Sequence, residues 1–198
     1  MNKWLIEYNI QKVILAILSV AFFNSCGEVS IPRPYGFFRI DLPIHDYQRI
    51  DTLNLPYSFD LSTSTVLEQR NERGEKYWID LHYPALNANI YCSYKPVKNN
   101  LTALSEDARR FVYKHTIKAD GIGEKLFNNN EKNVYGILYD IKGNTASSVQ
   151  FVLTDSSKHF FRGALYFDNV PNKDSIAPMV EFIRQDIVRL MESFEWKQ

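Results

Sequence analysis

Reactive side chains are sparse in this chain of 198 residues and gather in three places: Cys26, Cys92 and the run Asp155-Ser156-Ser157-Lys158-His159. The last holds the letters of a hydrolase. Ser156 or Ser157 could give its hydroxyl proton to His159, with an acid orienting the ring. A catalytic serine also needs a rigid elbow, and the chain contains no Gly-x-Ser-x-Gly. Asp and Ser bonding their own backbone in a hairpin turn explain the same residues more simply. Cys92, between Tyr91 and Ser93 on an apolar run, reads as core filler rather than a nucleophile. The histidines His45, His82, His115 and His159 stand at no metal-ligand spacing, with neither His-Glu-x-x-His nor Cys-x-x-Cys present. Gly121-Ile122-Gly123 is too short for a phosphate loop. The residues therefore predict no catalytic group, no metal and no cofactor, and the chain is read as not an enzyme.

Cys26 carries different chemistry. Lys3 and Lys12 give a basic start, interrupted by Glu7, and residues 13–23 are apolar except for Ser19. That run falls short of the ~20 residues needed to span a bilayer, so it reads as an export signal. Phe23-Asn24-Ser25-Cys26-Gly27 resembles a lipobox, in which the thiol after a small residue takes up a diacylglycerol thioether. Phe23 and Asn24 depart from its commoner residues, and a plain secretory peptide cut nearby is the competing reading. Two or more acyl chains, each burying methylenes at ~0.8 kcal/mol apiece, hold a protein on a membrane stably. Residues 28–34, stiffened by Pro32 and Pro34, read as a spacer. The expected organisation is a signal over 1–25, a lipidated tether over 26–34 and one globular domain over 35–198.

Composition narrows the class of that domain. Lys plus Arg number 23 and Asp plus Glu number 23, so no global field draws in nucleic acid. One cysteine remains once Cys26 is lipidated, which leaves no internal disulfide despite export. Twelve Tyr and thirteen Phe suit broad sheet faces packed under helices.

The pattern of apolar residues supplies the elements. A short strand is predicted over 57–60 after Pro56. A stronger one runs over 76–83, where Tyr77, Ile79, Leu81 and Tyr83 alternate with Trp78, Asp80 and His82. Residues 88–94 are its hairpin partner. Over 99–118 the period becomes helical, through Leu101, Leu104, Ala108, Phe111, Val112 and His115, with Glu106 placed to support Arg110 and Gly121 and Gly123 as the stop. Runs over 134–142, 146–154 and 159–168, split by turn residues, predict a three-stranded meander. Over 174–194, Ile176, Val180, Ile183, Ile187, Leu190 and Phe194 form one helical stripe, and Glu181, Arg184, Asp186, Arg189 and Glu192 are assigned to the opposite face. The fold class is α+β, a mainly antiparallel twisted sheet with helices packed against it, and its element order resembles the PsbP-like family of exported domains. That likeness of layout implies nothing about function.

Longer phrases carry a second resemblance. Pro34-Tyr35-Gly36-Phe37-Phe38-Arg39-Ile40-Asp41-Leu42-Pro43, Val112-Tyr113-Lys114-His115-Thr116 with Lys118-Ala119, Gly143-Asn144-Thr145-Ala146-Ser147 with Gln150-Phe151, Leu153-Thr154-Asp155-Ser156, and His159-Phe160-Phe161-Arg162-Gly163-Ala164-Leu165-Tyr166-Phe167 occur in order. With Pro171-Asn172 and Ser193-Phe194-Glu195-Trp196-Lys197, they resemble the GldD family of gliding motility lipoproteins of the Bacteroidota. The resemblance covers nearly all of the mature chain. It implies an envelope lipoprotein needed for gliding, associated with the type IX secretion apparatus that delivers adhesins, and it carries across no catalytic residue.

An assembly or scaffold role suits a small neutral domain on a lipid. Candidate interface residues are Tyr35, Arg39, Trp78, His82, His115, His159 and Arg162, since aromatics and Arg dominate hot spots, with solvated strand faces as the competing explanation. Two alternatives stay open: a ligand-binding periplasmic lipoprotein with a pocket lined by Tyr and Phe, and the Ser156/Ser157–His159 hydrolase. Gly27-Glu28-Val29-Ser30 lacks the acidic or Lys-rich run of a surface-export signal in this lineage, which favours a lipid anchor facing the periplasm and leaves inner or outer membrane open. Thr52 and Ser175, in Asp51-Thr52-Leu53 and Asp174-Ser175-Ile176, match a short O-glycosylation signal of exported proteins. Helix capping by Asp174 and Ser175 competes with the sugar. Expected partners are the membrane and other gliding or type IX secretion proteins.

Overall fold

Alternating apolar and polar residues along the chain build a sheet with two different faces. The computed structural model describes residues 12, 40–51, 53–72, 75–114, 118–168 and 172–197. From residue 40 onward these belong to the compact unit Phe38–Gln198. In order they form β1 (Tyr47–Ile50), β2 (Tyr57–Ser62), β3 (Val66–Glu72), β4 (Glu75–Tyr83), β5 (Ala88–Pro96), α1 (Leu101–Tyr113), β6 (Ala119–Asn129), β7 (Val134–Gly143), β8 (Val149–Thr154), β9 (His159–Phe167), α2 (Lys173–Ser193) and β10 (Glu195–Trp196). The main sheet has seven strands in the order β3-β4-β5-β9-β8-β7-β6, and every neighbouring pair is antiparallel. β1, β2 and β10 make a second, small antiparallel sheet. The domain is α+β, as its periodicity predicts.

The inner face of the main sheet is covered by α2 and β2. Ile79, Leu81, Ile90, Phe151, Leu153, Phe161 and Leu165 point into a core shared with Tyr57, Phe59, Ile183, Ile187, Leu190 and Phe194. Aromatic rings meet at its centre, Tyr57 with Phe161 at 4.7 Å and Phe161 with Phe194 at 5.2 Å between centroids. Each such side chain taken fully from water contributes about 1.5–3 kcal/mol. Asn172 caps α2 by accepting the Ser175 N–H at 3.4 Å, and Asp174 sits in the first turn, where the helix dipole favours it. At the other end Phe194 turns extended and leads into β10, which pairs with β2. Polar ties add direction: Arg184 grips Asp140 of β7 through two bonds, 2.7 and 3.1 Å, and Ser193 Oγ accepts the Asp60 N–H at 2.8 Å.

The β4–β5 hairpin, the β7–β8–β9 meander and the terminal helix lie where the sequence places them. Four strands, β1, β3, β6 and β10, lie outside the expected set. β6 begins at Ala119 and runs through Gly121 and Gly123, so these glycines extend a strand instead of stopping a helix. α1 ends at Tyr113, short of residue 118, and its Arg110 pairs with Asp107 rather than Glu106. Only Ala108 and Val112 of α1 are buried; Val112 sits against Tyr139 and Ile141 on the outer face, and Phe111 is left 45% exposed.

Asp186, assigned above to the solvated side of the last helix, lies on its buried side. It is 4% exposed. Its Oδ1 accepts from His45 Nδ1 at 2.7 Å and from the Tyr47 hydroxyl at 2.9 Å, and its Oδ2 accepts from the Tyr83 hydroxyl at 3.0 Å. His45 also stacks on Phe182 with centroids 4.2 Å apart. Burial, then the bond to Asp186, pushes the Tyr47 hydroxyl up to about 12, so it stays a donor at neutral pH. The cluster pins the segment entering β1 onto α2.

Candidate functional site

Strand parity decides which expected residues can act together. On β4 the side chains of Trp78, Asp80 and His82 alternate away from the core. The register sets Asp80 opposite Tyr91, Tyr91 opposite Ala164, and Ser93 opposite Arg162, so β4, β5 and β9 present these residues on one outer face. α1 packs on that face over β6 to β9. Beside Phe111 a hollow of about 340 Å³ remains, walled by Arg70, Trp78, Asp80, Tyr91, Arg162 and Tyr166.

Its polar groups are ordered. Arg70 Nε donates to Asp80 Oδ2 at 2.6 Å, and its guanidinium lies 5.3 Å from the centroid of Tyr91. Burial raises the Asp80 carboxyl above its ordinary value, against the pull of Arg70. Trp78 Nε1 donates to the Tyr94 carbonyl at 3.0 Å, which fixes the indole plane. Arg162 Nη2 donates to Gln150 Oε1 at 3.1 Å while the guanidinium stacks 4.3 Å from the centroid of Phe111. Burial pushes the Arg162 pKa down, though a guanidinium remains charged at neutral pH. Next along β4, His82 Nδ1 lies 2.7 Å from Asn89 Oδ1 and its Nε2 lies 3.2 Å from Glu68 Oε2.

Trp78, His82 and Arg162 are thus brought to one face, and His159 is not. An odd-numbered neighbour of Phe161 on β9, it faces the other side, where its ring stacks on Trp196 at 4.9 Å and its Nδ1 meets the Tyr94 hydroxyl at 2.7 Å. Asp155 accepts the backbone N–H groups of Ser157, Lys158 and His159 and the Ser157 hydroxyl. Burial pushes that carboxyl up, but these bonds outweigh it and hold it below its ordinary value. Ser157 therefore faces Asp155 and His159 faces Tyr94; the hydroxyl–imidazole contact needed by the hydrolase alternative is replaced by a capped turn, with Ser156 at φ +64°. Cys92 is buried, and burial pushes its thiol up, away from the reactive thiolate. Tyr35, Arg39 and His115 lie outside the described residues, as do Cys26 and Thr52. Ser175 is half-buried in the first turn of α2, with its N–H capped by Asn172.

Burial lowers the pKa of His159, so the fold favours its neutral ring. The unfolded chain then binds the proton more readily, and stability falls as pH drops below the unfolded value of about 6.5. Thermal melts between pH 7.5 and 5 should show wild type losing stability faster than His159→Gln. Parallel curves would mean that the ring does not titrate with folding.

Arg70, Asp80, Tyr91 and Phe111 belong to the outer-face cluster and were not among the expected interface residues. Asp80 was legible, since it alternates with the buried set on β4. A larger hollow, about 530 Å³, lies between α2 and the ends of β7 and β8. Across it Arg184 pairs with Asp140 at 2.7 Å and Lys173 with Asp120 at 2.6 Å. Among the described residues no group of His, Cys, Asp and Glu is placed to hold a metal ion, and no helix is long and apolar enough to cross a membrane.

Comparison with known proteins places this geometry. The solution structure of cyanobacterial PsbP (CyanoP) from Synechocystis sp. PCC 6803 is similar at 13% identity and a TM-score of 0.46, over 87% of this chain and 98% of that one. Nothing about function follows from that degree of likeness. No curated protein matches the chain. A family model described as gliding motility lipoprotein GldD matches residues 27–196, from the residue after Cys26 through β10. Because that match takes in the whole sheet, both helices and the outer-face cluster, the chain belongs to the GldD family of gliding motility lipoproteins.

Proposed function

We propose that this protein is a non-catalytic assembly component of the gliding machinery, lipidated at Cys26, facing the periplasm and serving type IX secretion of surface adhesins. The observation that carries this reading is the family match over residues 27–196. Three features support it: the lipobox-like run ending at Cys26, the capped turn in place of a serine–histidine pair, and an outer sheet face bearing Arg and aromatic side chains. Its partners are other proteins of the same machinery, and the lipid keeps the domain within a tether's length of the membrane.

The thiol of Cys26 is the only atom there that can carry a thioether. Cys26→Ser should abolish fatty-acid labelling, release the protein from envelope fractions and stop colony spreading. Labelling with a radioactive fatty acid, followed by fractionation at matched expression, checks it. Undiminished labelling would overturn the anchor. Normal spreading by a protein found only in soluble fractions would overturn the requirement for it.

A further inference from the structure

We propose that the hollow on the outer sheet face docks a carboxylate side chain of a partner protein, gripped by the guanidinium of Arg162. The proposal rests on the assembly reading above and gives the partner its chemistry.

Charge and donor inventory lead to this ligand. A guanidinium offers five N–H donors. Arg162 spends one bond on Gln150 Oε1 and has no carboxylate partner among the described residues, although it is largely withdrawn from water. Arg70 in the same wall is neutralised by Asp80 at 2.6 Å. The hollow is left with one uncompensated positive charge, and Tyr91, Ser93 and Tyr166 add hydroxyls around it. An occupant must bring acceptors and negative charge.

A second observation lies beneath the cation. Gln150 is 1% exposed, and its Nε2 is buried without a partner while its Oε1 holds Arg162. Buried polar groups are rarely left unpaired, and a partly satisfied network is costly. Gln150 thus holds Arg162 by its Oε1 and Phe111 stacks on it, and the guanidinium edge is pre-oriented for a bound anion.

Shape and charge select among anions. The guanidinium fork matches a planar carboxylate in two parallel bonds. A phosphate dianion would place its second charge near the buried carboxylate of Asp80. A hollow of 340 Å³ on an open sheet face is at the low end for enclosing a free small molecule and fits one or two side chains. Its rim holds Tyr91 at 38% and Phe111 at 45% exposure, the Arg-and-aromatic surroundings of protein hot spots.

The test uses the full lipidated chain in detergent micelles, titrated with N-acetyl-Phe-Glu-amide and, in parallel, N-acetyl-Phe-Gln-amide, while the NMR signal of the Trp78 indole N–H is followed. The Glu peptide should move that signal and bind about tenfold or more tightly than the Gln peptide, as loss of a charge-assisted pair requires. Arg162→Gln should weaken the Glu peptide by about tenfold or more, with Arg162→Lys between it and wild type. Should Arg162→Gln fail to fold, Tyr91→Ala at the rim should weaken binding and leave the preference for Glu over Gln intact. Equal binding of the two peptides, no binding to wild type, indifference to Arg162, or displacement by equimolar inorganic phosphate would each overturn the proposal. In cells, Arg162→Gln at normal abundance and envelope location should impair spreading. Normal spreading would overturn the docking role and leave the lipid-anchored assembly reading, which Cys26→Ser tests, in place.

Discussion

Ile187→Asp should unfold the domain or bring it close to unfolding. Ile187 is fully buried on the face of α2 that meets the sheet, beside Ile183 and Leu190. The substitution removes an apolar side chain worth about 1.5–3 kcal/mol and puts a carboxylate where no cation is at hand. A loss of about 5 kcal/mol is expected, comparable with the total stability of many single domains. Glu181→Ala and Glu192→Ala, on the exposed side of the same helix, should stay within about 0.5 kcal/mol of wild type. Urea melts followed by circular dichroism check both halves of the comparison. If the two classes melt alike, the buried face of α2 has been misplaced.

The elements legible in the sequence are those with one buried face. β4 alternates because Ile79, Leu81 and Tyr83 must enter the core while Trp78, Asp80 and His82 must not. β7, β8 and β9 read as strands because turn residues bound apolar runs. β1, β3 and β6 lacked such a signal. β6 is an edge strand with most of its residues exposed, and Leu126 is 85% exposed, so nothing forces a period of two. Two glycines inside it then read as a helix stop, a signal of composition where pairing with β7 was the deciding interaction.

The outer-face site was half legible. Alternation put Trp78 and His82 on the same side of β4. The adjacency of Arg162 could not be read, because β9 inserts between β5 and β8, and pairings across some seventy positions of chain leave no local mark. Parity along β9 explains the misplacement of His159: it is three residues from Arg162, and an odd step along a strand changes face.

Asp186→Leu should cost about 3 kcal/mol, although helix patterning by residue type would make a charged-to-apolar change there favourable. Spacing already argued otherwise: position 186 is three after Ile183 and four before Leu190, so it lies on the buried stripe, and its charge misled the assignment. Leucine fits the space but accepts no hydrogen bonds. The Tyr83 hydroxyl, held at 3.0 Å and buried, would lose its acceptor, as would Tyr47 and His45, whose partial exposure lets water replace part of the loss. An unpaired buried donor costs about 1–3 kcal/mol, and the half-exposed pair adds less. Burial, the largest of the causes that push the Tyr83 hydroxyl upward, persists in the variant, so that hydroxyl cannot escape by ionising. Because His45 and Tyr47 tie the chain between the expected tether and β1 to α2, the damage should also be local. Amide exchange over residues 45–50 should quicken more than in β8 or β9. Tyr83→Phe combined with Asp186→Leu should be less destabilising than the two single changes added together, by about 1 kcal/mol, since Tyr83→Phe removes the donor that Asp186→Leu leaves stranded. An Asp186→Leu protein within about 0.5 kcal/mol of wild type, with unchanged exchange at residues 45–50, would show that this carboxylate does not hold the entry segment to the helix.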